Sequence, residues 1–66
     1  MKNLGMQKLY QEFVRSDLEA MNQYALDYKY ALEQGYKHTA ATCKFMIAFY
    51  GKEIKHYQTK LKSWSI

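Results

Sequence analysis

Residues 40–64 read AATCKFMIAFYGKEIKHYQTKLKSW, and Ala40, Cys43, Ile47, Tyr50, Ile54, Tyr57, Leu61 and Trp64 step through them by threes and fours without a slip. That rhythm keeps apolar side chains on one stripe of a helix, and nearly four heptads of it specify a seam facing another helix. A strand would need alternation in twos, which the stretch lacks. Upstream, Leu18, Met21, Ala25, Tyr28 and Leu32 repeat the spacing. Gly35 stands between the two periodic segments, where a residue free to adopt positive φ can end a helix. The pattern predicts an all-α single helical domain over residues 1–66, either a helical hairpin or a three-helix bundle.

The choice between the two rests on the N-terminal third. Met6, Leu9 and Phe13 follow helical spacing but fall out of register with the stripe that starts at Leu18. Ser16-Asp17-Leu18-Glu19 has the form of a capping box, in which the serine accepts from an amide one turn on and the glutamate reaches back. Helices are therefore expected over residues 3–14, 17–34 and 38–63, with one unbroken helix from Asn3 to Gln34 as the alternative.

A chain of 66 residues leaves room for one unit, and such a unit buries only about 60% of its unfolded surface. A dimeric bundle or a partner protein is expected to complete the core. At 48% hydrophobic and 24% charged residues the composition fits a folded chain and argues against disorder. Cys43 is a single cysteine and cannot form an internal disulfide, and residues 1–4 lack the apolar region of a secretory signal. Both features point to a reducing cytoplasm. The longest apolar run, Phe45 to Tyr50, falls far short of the roughly 18–20 residues a membrane span requires, so no membrane partner is expected.

Two further stripes run along the C-terminal helix. Phe45 and Phe49, with Met46 leaning in, are continued by His38, Lys52 and His56. Burying each phenylalanine is worth roughly 1.5–3 kcal/mol, so a cover is expected. Either helix one supplies it through Leu9, Tyr10 and Phe13, or another molecule does. Seven tyrosines are the most unusual feature of the composition, and large amphipathic rings suit interfaces. The predicted partner-binding surface is Phe45, Phe49, Lys52 and His56, with Tyr24 and Tyr30 from the preceding helix. The other stripe is a basic track of Lys37, Lys44, Lys55 and Lys62. Residues 37–66 carry six lysines against Glu53, a net of +5, while residues 1–36 carry four cations against five anions, a net of −1. Such a track suits phosphate contacts, or it is a solvated face paired with acids of the neighbouring helix.

Catalytic chemistry finds little footing. Glu53-x-x-His56 has di-metal spacing, but its side chains diverge on the helix, and no metal site is expected. Cys43 lies in the apolar seam without an activating neighbour. Glycine-rich phosphate loops and serine elbows are absent. The expectation is a non-enzymatic protein without cofactor that binds another protein as adaptor or inhibitor, by analogy with tiny phage proteins. The alternative is a basic, dimeric regulator that binds nucleic acid.

Overall fold

A computed structural model describes residues 4–64 as two α-helices, α1 over Leu4–Gln34 and α2 over Lys37–Trp64, with no strand among those residues. They form an antiparallel hairpin of 51 × 14 × 11 Å. The fold is the hairpin of the two forms anticipated. The break expected after residue 14, which would have given helices over 3–14 and 17–34, is absent. Ser16 lies exposed inside α1, and Glu19 pairs with Arg15 at 3.5 Å instead of reaching back to cap. Helix-forming residues on both sides outweigh one serine, and the capping pattern has no chain reversal to serve.

The turn follows from Gly35, whose φ of 76° only glycine adopts without strain. Its amide donates to the Leu32 carbonyl at 3.2 Å, and the Tyr36 amide donates to the Ala31 carbonyl at 2.8 Å. These are the paired bonds of a Schellman motif. The Tyr36 carbonyl then accepts from the Ala40 amide at 2.9 Å, which opens α2. A Cβ on Gly35 would touch nothing within 4 Å, so Gly35→Ala is expected to cost about 1 kcal/mol from backbone strain alone. A urea midpoint unchanged from the native chain would contradict this reading.

The seam of α2 packs as its spacing implies: Ala40, Cys43 and Ile54 are buried, and Ile47, Tyr50, Tyr57, Leu61 and Trp64 are half-buried. The facing stripe of α1 is a different one from that anticipated. Gln7, Tyr10, Val14, Asp17, Met21, Tyr24, Tyr28 and Ala31 are buried or half-buried, whereas Leu18, Ala25 and Leu32 are exposed. Only Met21 and Tyr28 belong to both. Because α1 is continuous, one heptad frame extends back to Gln7, and two polar members disguise it.

Small residues, Ala31, Ala40 and Cys43, fill the seam near the turn, and rings fill the open end. Tyr10 lies 5.3 Å from Tyr57 and 4.9 Å from Trp64, edge to face in both cases, and Phe13 is 5.4 Å from Tyr57. Gln7 Nε2 donates to the Trp64 carbonyl at 2.9 Å and ties the two helix ends together.

Candidate functional site

An antiparallel pair of helices has two flanks, and the cavities identify which residues share each. A groove of about 570 Å³ beside the turn takes Tyr24, Asp27 and Tyr30 from α1 together with Tyr36, His38, Thr39 and Cys43. Steps of seven residues along this flank lead to Ala20 and Phe13 on α1 and to Met46 and Glu53 on α2. A smaller cavity of about 190 Å³ takes Leu32 from α1 and Lys37 from α2 and marks the opposite flank.

The first flank is aromatic. Phe49 meets Tyr50 at 5.5 Å, Tyr50 stacks on Tyr24 at 5.9 Å, and Tyr30 lies 6.4 Å from Tyr36. Tyr24, Tyr30 and Phe49 of the anticipated partner surface thus come together, joined by Tyr36 and Tyr50. Phe45, Lys52 and His56 stand apart on the outward side of α2, all exposed. Helix one does not cover the phenylalanines: Phe45 is 69% exposed and Phe49 45%. Its rings Tyr10 and Phe13 pack on Tyr57 and Trp64 instead.

Midway along the same flank Asp17 meets Glu53. Burial and hydrogen bonding to Glu53, with the repulsion of its charge, push the Asp17 carboxyl up to about 6. Its Oδ2 atom is buried without a hydrogen-bond partner. The Tyr57 hydroxyl donates to Glu53 Oε1 at 3.3 Å, and burial followed by the nearby carboxylates raises its pKa as well. Glu53 therefore turns inward, while His56 lies against the Tyr57 ring at 6.0 Å.

The basic track occupies the second flank. Lys37, Lys44 and Lys55 are exposed and make no ion pair among the described residues. For these three lysines the pairing with acids of the neighbouring helix that the sequence allowed does not form among the described residues. Glu19 holds Arg15, Asp27 accepts from Gln23 at 3.2 Å, and Asp17 faces Glu53.

Sequence reading overlooked Asp27, Thr39 and Thr42 at the groove, and Asp17 in the seam. Counting back four residues from Met21 would have found Asp17. Nothing in the composition flags Thr39 or Thr42. Among the described residues no helix is long and apolar enough to cross a membrane. Comparison with protein-family models, with curated proteins and with solved structures finds no match to this chain.

Proposed function

We propose that this chain is a small helical interaction protein that binds another protein through the aromatic flank of its hairpin, as adaptor or inhibitor, and that it pairs with a second copy of itself. One observation carries the reading. Four residues are buried in the described chain and none of them is large and fully enclosed, while ten large apolar side chains are exposed. Two helices joined by a turn are marginal alone, and contiguous apolar surface beside polar groups marks interfaces. A face of the 51 × 14 Å outline offers about 700 Å², close to the roughly 800 Å² per partner of a stable complex.

Phe45→Asp with Phe49→Asp tests the docking surface, Phe49 lying on the aromatic flank and Phe45 one turn away on the outward side of α2. Both side chains are exposed, so helicity by circular dichroism is expected to stay at the native level while binding is lost. The measurement is affinity capture from nuclease-treated host extract, with captured proteins compared between native chain and variant. Unfolding of the variant would make these rings core, and capture that is unaffected by it would remove them from the interface. Sedimentation at micromolar concentration is expected to give twice the 7.9 kDa chain mass. A well-folded monomer would refute the pairing.

A second reading, a nucleic-acid-binding regulator acting as a dimer, is supported by the uncompensated lysines at 37, 44 and 55. Each neutralised phosphate would add about 0.9 to the slope of log affinity against log salt. Mobility shifts that show no complex with duplex or single-stranded nucleic acid at about 100 mM salt would set this reading aside.

A further inference from the structure

α1 carries a second apolar seam that α2 does not cover. Leu18, Ala25 and Leu32 are seven residues apart and all exposed, Leu18 at 51% and Leu32 at 57%. They lie about 75° round the helix from the stripe that meets α2. Leu32 and Lys37 line one cavity, so the flank of α1 bearing this seam is the flank of α2 bearing Lys37 and, one heptad on, Lys44. Lys55 follows on the same side, standing further out because an apolar stripe drifts about 20° per heptad on a straight helix. Ala41 and Ala48 are exposed between the lysines. At Gly51 an added Cβ would meet nothing closer than Met21 Cε at 3.9 Å. This side of the hairpin is a shallow valley with a leucine ridge on one wall and uncompensated lysines on the other.

Each component has a physical demand. Exposed leucines at heptad spacing are satisfied by another helix, whose own stripe interdigitates with them. Lysines along the edge are satisfied by anionic groups on the occupant, and among the described residues no acid pairs with Lys37, Lys44 or Lys55. A phosphodiester backbone would answer the lysines but gains nothing from Leu18 and Leu32. The track also lacks the arginine fork that grips phosphate from two sides. The geometry points to this valley as the docking site for an amphipathic helix of a partner protein, apolar along one stripe and acidic beside it, which would complete a three-helix bundle. The inference rests on the protein-binding reading above but uses the opposite flank.

Two synthetic helical peptides of equal length serve as probes, each with a leucine heptad seam, one flanked by glutamates and the other by lysines. Both are titrated into the full chain by fluorescence anisotropy at low salt. The glutamate peptide is expected to bind at least about tenfold tighter than the lysine peptide, with the difference shrinking as salt screens the charges. Leu18→Ser with Leu32→Ser is expected to weaken it by about tenfold or more, and Lys37→Glu with Lys44→Glu and Lys55→Glu by a similar factor. All five positions are exposed, so helicity should survive, and circular dichroism checks it. Phe45→Asp with Phe49→Asp is expected to leave the titration unchanged, which separates failure of this inference from failure of the aromatic-flank reading. The inference is overturned if the glutamate peptide fails to bind at about 100 μM, if the two peptides bind alike, or if the leucine variant binds as the native chain does. It is also overturned if the phenylalanine variant abolishes binding. Duplex DNA that displaces the peptide and responds to the lysine variant but not to the leucine variant would reassign the surface to nucleic acid.

Discussion

Ile54→Ala is expected to destabilise the hairpin by about 3 kcal/mol and to leave little helix at 25 °C. The magnitude follows from how few residues are enclosed. Ile54, at 8% exposed, is the largest of the four buried residues, the others being Ala31, Ala40 and Cys43. Removing three carbons there loses their transfer free energy and opens a cavity between two helices that have no other large buried side chain to close over it. A single core of this size rarely supplies more than about 3–5 kcal/mol in total, so one such truncation takes most of it. Phe45→Ala is the control and should move stability by less than about 0.5 kcal/mol, because that ring is exposed. Urea titrations followed by circular dichroism measure both, at two chain concentrations. Stability that rises with concentration is the signature of a second copy completing the fold. An Ile54→Ala chain within about 0.5 kcal/mol of native would mean that the helices do not meet along this stripe.

The difference between the two helices shows what a sequence of this kind discloses. In α2 every seam position from Ala40 to Trp64 is apolar or aromatic, so its frame could be read directly and proves to be the buried one. Gly35 was equally legible, because a positive φ has one cheap solution among the residues present. In α1 the true frame contains Gln7 and Asp17, while a neighbouring frame contains Leu18, Ala25 and Leu32 and is the more hydrophobic. Periodicity alone selects the more hydrophobic stripe. The structure buries the other, because rings at Tyr10 and Tyr24 pack against Tyr57, Trp64 and Tyr50. The expected break has a related origin: Met6, Leu9 and Phe13 lie beside the seam, which at this end of α1 runs through Gln7, Tyr10 and Val14. Of the candidate surface, Tyr24, Tyr30 and the lysine track were visible as residues, but which flank each occupies required knowing how α1 turns against α2.

Asp17→Leu is expected to stabilise the hairpin by about 1–2 kcal/mol at pH 7. The position lies in the seam between Val14 and Met21, where heptad packing calls for an apolar side chain. It holds instead a carboxylate with a buried, unpartnered oxygen facing Glu53. Leucine removes that desolvation and the repulsion of Glu53 while filling similar space. The native chain should also depend on pH through this residue. With its carboxyl pushed up to about 6, the folded state keeps a proton that the unfolded state has already released between pH ~4 and ~6. Its contribution to stability is therefore greatest below the ordinary aspartate range and falls as pH rises through about 6. Asp17→Asn separates charge from packing: it should flatten this part of the pH profile with a smaller gain in stability than leucine gives. Thermal or urea unfolding of the three chains between pH 4 and pH 7 decides the matter. A native chain whose stability relative to Asp17→Asn stays constant as pH rises through that window would show that the pair is solvated and that Asp17 is an ordinary surface acid.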